Sequence, residues 1–338
     1  MYLYPKRKIK KGSSNMRKVY LYGGYWNNDG PSNVNQAYVQ NADSRFYYQS
    51  QSKFGIVRKL HTLVNFVRSD VIIISNVLSR SVLQLMKILH KKMLYLMHGN
   101  VAYETIANKS ENAGEATERE KEYLDYATRI ICVSEKYAAW VASRYPEYRN
   151  KITFVNNGVN IAPREKKKKQ EDTIAVTGGN RSIKNNKVVC EAVHRANLAG
   201  GHYKISVFGS YYPNNEEIFD FPEITYLGQL SKDEYYRYLD EISLVVMNSD
   251  VESFGLVVED ALNCHCSLLL SDSVGAGAIM QQEESDLIHN TRDENEILEK
   301  IQYLLQNPNS ERLLKSIDLE AVSAKQAFAN LRKLCEEV

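Results

Sequence analysis

Residues 244–271 read LVVMNSDVESFGLVVEDALNCHCSLLLS, and this stretch decides the fold. Its two ends, residues 244–248 and 267–271, are short apolar runs with the length and composition of buried strands. Between them, residues 256–264 carry apolar side chains at helical spacing. A strand, a helix and a second strand in this order are typical of two parallel strands joined by a crossover helix. The stretch therefore predicts an α/β fold built on a parallel sheet.

The same alternation of strand-like and helix-like segments continues along the rest of the chain. Further strands are predicted at residues 18–22, 70–75, 93–97, 129–133 and 152–155 in the first half and at residues 173–177, 204–208 and 224–227 in the second half. With the two above, these make ten strands, which divide evenly between two sheets. A chain of 338 residues is also too long for one ordinary core. We therefore expect two Rossmann-like domains.

A charged segment separates the two predicted domains. The sequence PREKKKKQED at residues 163–172 contains a proline and a run of charges but no apolar periodicity, as is typical of a linker. We place the first domain at residues 17–161, the linker at 162–172 and the second domain at 173–318. Residues 1–16 form a basic tail that we expect to be disordered, and residues 319–338 are predicted to form a C-terminal helix that packs back on the first domain.

The composition predicts a globular protein of the cytoplasm. Hydrophobic residues make up 43% of the chain and charged residues 25%, and no apolar run approaches the roughly 18 residues of a membrane-spanning helix. No apolar run follows the basic N-terminal residues, so we expect no secretory signal. The cysteines fit neither a disulfide framework nor a zinc site, and we expect reduced, mostly buried thiols. They are Cys132, Cys190, Cys264, Cys266 and Cys335.

Positive charge is concentrated in two clusters, although the formal net charge is only +2. The clusters comprise Lys6, Arg7, Lys8, Lys10 and Lys11, and then Arg164 and Lys166 to Lys169. Such clusters are either solvated segments or contacts with an anionic membrane surface, where each cation contributes about 1 kcal/mol. The second reading implies a peripheral position at the inner face of the cell membrane. Neither cluster contains interleaved aromatic residues, so we expect no nucleic-acid partner.

Glycine-rich and polar loops follow several of the predicted strands. In open parallel sheets, ligands bind beyond the carboxyl ends of the strands, so two facing sheets form a cleft walled by these loops. The loops contain Gly23-Gly24, His98-Gly99, Asn157-Gly158, Gly178-Gly179 and Gly209-Ser210. We therefore expect the functional residues at the cleft.

The segment between the strands of the opening stretch has the features of an anion site. Glu252 follows the first strand, Phe254-Gly255 indicates a tight turn, and a helix is predicted directly after it. Free backbone N–H groups and the helix dipole at that turn favour a diphosphate, and glycine allows close approach of the backbone. Glu252 is expected to form hydrogen bonds with hydroxyls of the sugar. Asp260 lies one turn along the helix and is expected to form hydrogen bonds with the ribose hydroxyls.

At these residues the chain resembles the family 4 retaining glycosyltransferases, which have the GT-B fold of two facing Rossmann-like domains. The residues that match their acidic motif are Glu252, Phe254, Gly255, Leu256, Ala261 and Leu262. The second acid of the motif is Asp260 where the family has Glu, and the family's Cys-Gly pair reads Cys264-His265. The segments IICVSE (130–135), FVNNGVN (154–160), VTGGNRSIKNN (176–186) and TYLGQLSKDEYY (225–236) are also similar to family segments.

The resemblance implies a set of site residues. Glu252, His98 and Lys184 take the catalytic positions, with Lys184 at the family lysine and Arg181 as the arginine nearest to the family position. The implied donor-binding residues are Gly23, Gly24, Arg181, Ser253, Phe254, Gly255, Leu256, Val257, Asp260, Gly209 and Leu230. The resemblance implies a nucleotide diphosphate sugar as donor and no cofactor. It also implies no metal ion, and the sequence contains no Asp-x-Asp triplet that would hold one against a diphosphate.

The resemblance further implies a reaction and leaves two alternatives. The expected enzyme is a hexosyltransferase that retains anomeric configuration and acts on a glycan or lipid-linked acceptor in bacterial surface polysaccharide synthesis. One alternative is a scaffolding or binding subunit with weakened catalysis, motivated by Asp260, His265 and the missing arginine at the family position. The other is a nucleotide-sugar epimerase, which changes the donor sugar without an acceptor. Product analysis with the donor alone distinguishes the epimerase from the transferase. Donor binding without turnover identifies the scaffold.

Overall fold

The computed structural model describes residues 16–27, 29–75, 80–215 and 221–338. Except for Met16, the predicted basic tail at residues 1–16 lies outside the described residues. The described chain forms two parallel six-stranded sheets, each flanked by helices. This arrangement confirms the predicted α/β fold of two Rossmann-like halves.

The first sheet has the strand order β2-β1-β3-β4-β5-β6. Its strands are β1 (Val19–Tyr22), β2 (Phe46–Tyr48), β3 (Val71–Ile74), β4 (Lys92–Met97), β5 (Arg129–Cys132) and β6 (Ile152–Phe154). The helices of this half are α1 (Gly30–Asn41), α2 (Gly55–Arg68), α3 (Arg80–Ile88), α4 (Val101–Ala107), α5 (Ala113–Tyr126) and α6 (Glu135–Arg144).

The second sheet has the order β12-β11-β10-β7-β8-β9. Its strands are β7 (Thr173–Thr177), β8 (Lys204–Phe208), β9 (Ile224–Gly228), β10 (Leu244–Met247), β11 (Ser267–Ser271) and β12 (Leu287–Ile288). The helices that follow β7 and later strands are α7 (Asn186–Leu198), α8 (Lys232–Glu241), α9 (Val257–Asn263), α10 (Glu294–Gln306), α11 (Ser310–Lys315) and α12 (Ala324–Glu337). None of the described helices is long and apolar enough to cross a bilayer.

The predicted number of ten strands was wrong, because two short edge strands were missed. All ten predicted strands are present, whereas β2 and β12 were not predicted. These two have three and two residues and lie at one edge of each sheet. Central strands such as β3 are fully buried on both faces and therefore appear as continuous apolar runs, while a short edge strand carries little such signal.

The C-terminal helix α12 packs back on the first sheet's side of the molecule, as predicted. Phe328 meets Phe46 edge to face, with ring centroids 5.1 Å apart. Arg332 pairs with Asp43 at 2.8 Å and donates to the carbonyl of Arg17 at 2.6 Å. Helix α12 therefore packs against the part of the first half that contains β1 and β2.

The basic cluster in the segment before β7 is bound to the second half. Arg164 and Lys167 pair with Asp240, whose side chain is only 3% exposed, at 3.3 and 2.8 Å. Lys169 donates to the carbonyls of Leu239 and Cys264 at 2.8 and 2.6 Å. These contacts engage Arg164, Lys167 and Lys169 within the protein, while the side chains of Arg164 and Lys167 stay 43% and 53% exposed.

Candidate functional site

A cavity of about 820 Å³ lies between the two halves. Residues from both halves line it. Many of them lie in the loops beyond the carboxyl ends of β3, β4, β7, β8 and β10, and others lie on α1 and α4. This position follows from the parallel topology, which brings the carboxyl ends of the strands to one edge of each sheet.

Eleven of the fourteen predicted site residues line this cavity. They are His98, Arg181, Lys184, Gly209, Glu252, Ser253, Phe254, Gly255, Leu256, Val257 and Asp260. Gly23, Gly24 and Leu230 are not among the lining residues. A sequence motif from the second half and a histidine from the first are thus brought to a common space.

The three remaining predicted residues lie outside the lining of the cavity. A Cβ atom on Gly23 would lie 2.6 Å from the Cβ of Ser75, so only glycine fits there. The carbonyl of Gly24 accepts a hydrogen bond from Asn35 at 2.7 Å. Leu230 is partly buried against the hydrophobic core. The two glycines therefore support Ser75, which does line the cavity.

Lys184 and Glu252 form an ion pair at the cavity wall. Their side chains are only 8% and 13% exposed, so the pair is shielded from water. Lys184 ends a short 3₁₀ turn after β7, and Gly178 in the preceding loop has a positive φ of 94°. A Cβ on Gly178 would lie 2.9 Å from the Cγ of Lys184. Glycine thus allows the lysine side chain to cross its own loop toward Glu252.

Arg181 lies in the same loop and faces a carboxylate that the sequence did not reveal. Its guanidinium is 3.6 Å from the carboxylate of Glu104, on α4 of the first half. Burial raises the pKa of Glu104, and the neighbouring Arg181 and Lys184 oppose that shift. Glu120 of α5 fixes this helix by accepting from the N–H groups of Val101 and Ala102 at 3.1 and 3.0 Å.

The turn at Phe254-Gly255 presents backbone amides to the cavity. Gly255 has a φ of 96°, and Phe254 is buried beneath it. Helix α9 begins at Val257, one residue later than predicted, and the N–H groups of Gly255 and Leu256 have no hydrogen-bond acceptor within the described part of the chain. On the neighbouring residue, the carbonyl of Ser253 accepts from the Ser134 hydroxyl at 2.5 Å. This bond holds the turn against the first half.

His98 is held in a polar chain of hydrogen bonds at the end of β4. Its Nε2 atom lies 2.9 Å from the hydroxyl of Ser75, which in turn accepts from Asn35 at 2.7 Å. Burial lowers the pKa of His98 to about 4, against a weaker opposing effect of Asp29. The imidazole is therefore neutral at pH 7, with one nitrogen fixed and a side chain that lines the cavity.

Asp260 lines the cavity but already has a protein partner. The hydroxyl of Tyr236 donates to its Oδ1 at 2.5 Å, and the Arg164 guanidinium lies 4.9 Å from the centre of the Tyr236 ring. Burial raises the pKa of Asp260. A ligand in the cavity would therefore share this carboxylate with Tyr236.

The remaining candidate chemistry concerns thiols and metals. All five cysteines are buried and unpaired. Burial raises the pKa of the Cys266 thiol to about 11, so it stays protonated at pH 7. Among the residues that the structure describes, no group of three or more His, Cys, Asp or Glu side chains is placed to hold a metal ion.

Comparison with known proteins matches both halves of the chain to glycosyltransferase families. Residues 21–162 match Glycosyltransferase Family 4, and residues 160–317 match Glycosyl transferases group 1. A comparison with curated protein sequences found no significant match.

Solved structures with the same fold cover nearly the whole chain. Anabaena HepE in complex with UDP and glucose has a TM-score of 0.65 at 10% sequence identity. The match covers 95% of this chain and 100% of that chain. Sucrose-phosphate synthase from Thermosynechococcus elongatus has a TM-score of 0.66 at 16% identity, over 95% and 99% of the two chains. The apo form of the lipopolysaccharide outer core galactosyltransferase WaaB has a TM-score of 0.60 at 13% sequence identity. The match covers 93% of this chain and 98% of that chain.

At these identities the structural likeness establishes the fold, and the sequence matches establish the family. The two matched segments together span residues 21–317, which include every residue proposed for the site. The chain therefore belongs to the group 1, family 4 glycosyltransferases with the GT-B fold.

Proposed function

We propose that the protein transfers a hexose from a nucleotide diphosphate sugar to a glycan or lipid-linked acceptor, with retention of anomeric configuration and without a metal ion. The observation that carries the proposal is the grouping of Lys184, Arg181 and the amides of Gly255 and Leu256 around one cavity. Two cations and two N–H groups without an acceptor among the described residues are donors suited to a diphosphate. The UDP-bound structures of HepE favour a uridine diphosphate donor.

The proposed mechanism depends on stabilising the leaving group. Departure of the diphosphate builds negative charge on its β-phosphate, and fixed donors directed at such charge usually provide the largest share of catalysis. Lys184, Arg181 and the amides at Gly255 supply those donors. The bond from the sugar's anomeric carbon to the diphosphate breaks, and a bond to the acceptor oxygen forms on the same face. The acceptor proton passes to the departing diphosphate oxygen, so no protein nucleophile is needed.

Three other side chains are assigned to the sugar and the nucleotide. Glu252 accepts hydrogen bonds from hydroxyls of the transferred sugar while it holds Lys184 in place. Neutral His98 bonds a hydroxyl near the reacting carbon. Asp260 and Tyr236 together meet the ribose, because the two are already hydrogen-bonded at the cavity. We assign the protein to the cytoplasm, at the membrane face where a lipid-linked acceptor of surface polysaccharide synthesis is available.

A binding screen followed by a transfer assay tests this function. We expect UDP or a UDP-sugar to raise the free energy of unfolding by about 2.7 kcal/mol at 100 times its dissociation constant. Transfer should continue in excess EDTA, and the product should keep the donor's anomeric configuration in NMR spectra. Loss of transfer on chelation would overturn the metal-independent mechanism. Binding of the donor without transfer would identify a scaffold. Conversion of the donor sugar in the absence of an acceptor would identify an epimerase. Either result contradicts the proposal.

Changing Glu104 to glutamine is expected to lower the Kd for UDP about fivefold. The Glu104 carboxylate competes with the diphosphate for Arg181, and a partly exposed ion pair contributes up to about 1 kcal/mol, which is a factor of five. Isothermal titration calorimetry measures the Kd. Glu115→Gln is the matched control, since Glu115 is 61% exposed and pairs with Arg119 on α5. An unchanged or higher Kd in Glu104→Gln would show that Glu104 does not compete.

A further inference from the structure

Helix α2 exposes a continuous row of apolar side chains, which we name the apolar stripe. It consists of Ile56, Val57, Leu60, Leu63, Val64 and Val67, which are 44 to 78% exposed. Their spacing of one, four, seven, eight and eleven residues from Ile56 places them on one helix face. Phe54, just before the helix, is 71% exposed as well. No other described helix exposes a comparable row of large apolar side chains.

The side of α2 that faces the protein is unusually polar. Asn65 is 1% exposed, and Thr62 lies 3.4 Å from the Tyr20 hydroxyl. Phe66 is the fully buried apolar residue of the helix, and its ring meets Tyr20 edge to face at 5.7 Å. A helix that covers a sheet normally turns its apolar face inward. The reversed pattern leaves the apolar stripe without a packing partner among the residues that the structure describes, as is typical of a surface for an external contact.

The charge around the apolar stripe is exclusively positive along the sequence. Lys53, Arg58, Lys59 and Arg68 lie in or beside the helix, and no acidic residue occurs between Asp43 and Asp70. At 3.6 residues per turn, Lys59 and Arg68 flank opposite edges of the apolar stripe. Arg68 also stacks on the Tyr47 ring at 3.6 Å, which fixes its position at that edge.

We propose that the apolar stripe inserts into the surface of an anionic lipid bilayer. An exposed apolar helix face with basic flanks is the pattern of helices that lie in the membrane interface, where anionic headgroups attract the cations. A second copy of the chain is a poorer partner, because it would bring the same cations together without a carboxylate from this segment to neutralise them. An anionic bilayer buries the apolar side chains and places negatively charged headgroups next to the cations.

The placement of α2 also suits the proposed reaction, although the inference concerns lipid contact and goes beyond the transfer itself. The helix follows β2 and therefore begins at the carboxyl edge of the first sheet, which is the edge that walls the cavity. Insertion of the apolar stripe would hold the cleft close to the bilayer surface. A lipid-linked acceptor would then reach the cavity without leaving the membrane.

Vesicle sedimentation of the full chain tests the inference. We expect binding to vesicles of equal phosphatidylglycerol and phosphatidylcholine and little binding to phosphatidylcholine alone. The variant Ile56→Ser/Leu60→Ser/Leu63→Ser should lower the partition coefficient roughly a hundredfold, because three inserted aliphatic side chains are lost. The matched control Leu198→Ser/Leu319→Ser removes two side chains that are 77% and 57% exposed in the second half, and it should bind as the wild type does.

A second pair of variants separates the helix from the N-terminal tail. Lys53→Gln/Lys59→Gln should weaken binding to the anionic vesicles about fivefold per cation. A variant with Lys6, Arg7, Lys8, Lys10 and Lys11 changed to glutamine should keep most of the binding. Circular dichroism and the thermal shift with UDP, measured for every variant, separate a failure of lipid contact from misfolding or from a failure of donor binding.

Several results would overturn the inference. These are wild-type protein that does not sediment with anionic vesicles, a serine variant that binds as well as the wild type, or binding that only the tail variant loses. Dimers in analytical ultracentrifugation that the serine variant abolishes, without any vesicle binding, would assign the apolar stripe to a second copy. Each of these results leaves the proposed sugar transfer standing if UDP still binds.

Discussion

Changing Lys184 to alanine is expected to lower kcat/KM for sugar transfer by about 10² to 10³. Removal of one donor that stabilises transition-state charge typically has an effect of this size. Lys184 is suited to this role because its ammonium is fixed by Glu252 and its side chain is only 8% exposed. The measurement is the initial rate of transfer with a UDP-sugar at several donor concentrations. We expect most of the loss in kcat, since charge on the β-phosphate grows as the bond breaks.

A structural cause of that loss must be separated from a chemical one. Without Lys184, Glu252 remains as an unpaired charge that is 13% exposed, which lowers stability. The double variant Lys184→Ala/Glu252→Gln removes the stray charge, and we expect it to regain stability but not activity. Recovery of transfer in the double variant would contradict a direct role of Lys184. Lys187→Ala is the matched control, because Lys187 is 41% exposed and pairs with Glu191 on α7.

Changing Gly158 to alanine is expected to lower the free energy of unfolding by about 3 kcal/mol. A Cβ on Gly158 would overlap the Cα of Ala324 and lie 2.7 Å from its N atom, at the start of α12. Both are backbone atoms, so no side-chain rotation relieves the overlap, and overpacking of this kind typically costs about 1 to 3 kcal/mol or more. Thermal unfolding followed by circular dichroism measures the change.

Displacement of α12 gives a second measurement for this variant. We expect limited proteolysis to cut Gly158→Ala within residues 318–323, just before α12, faster than it cuts the wild type. Gly114→Ala is the control, because no atom lies within 4 Å of a Cβ at Gly114 in α5. Alanine there should be neutral or stabilise the helix by up to about 1 kcal/mol. If the two variants have the same free energy of unfolding and the same rate of proteolysis, the contact between Gly158 and α12 accommodates the added methyl group without loss of stability.

The sequence predicted the architecture well because buried parallel strands leave a strong pattern. Strands such as β3 and β10 are apolar at every position. Their short length, and the segments with helical periodicity that separate them, therefore identified them as strands. The family resemblance then identified the loops that meet at the cavity. The short strands β2 and β12 were missed, since two or three residues carry no periodicity that differs from a loop.

The site was predictable where its residues lie in a local motif or in a segment that resembles the family, as His98 and Lys184 do. Glu252 and Gly255 are close in sequence, and their spacing was informative. Glu104 was missed because it appears as an ordinary helical glutamate, and only the fold brings it 3.6 Å from Arg181. The partner of Asp260 was missed for the same reason, since Tyr236 lies on a different helix.

One departure from the family pattern has a local structural explanation. His265 stands where the family has glycine, and it adopts a left-handed φ of 59° after α9. The N–H of His265 donates to Leu262 and that of Cys266 to Ala261, which is the hydrogen-bond pattern of a glycine-terminated helix. Its imidazole also lies 2.8 Å from the carbonyl of Arg164. The histidine therefore keeps the tight turn that glycine would form.

The two passages of the chain between its halves limit how the cavity can open. The passage before the second sheet and the passage before α12 lie side by side, where the N–H of Val159 donates to Val322 at 2.9 Å. Two adjacent passages favour rotation about one hinge axis and resist twisting of the halves. The contacts that must break on opening are those between the halves, such as Glu104 with Arg181 at the cavity and Ser134 with Ser253.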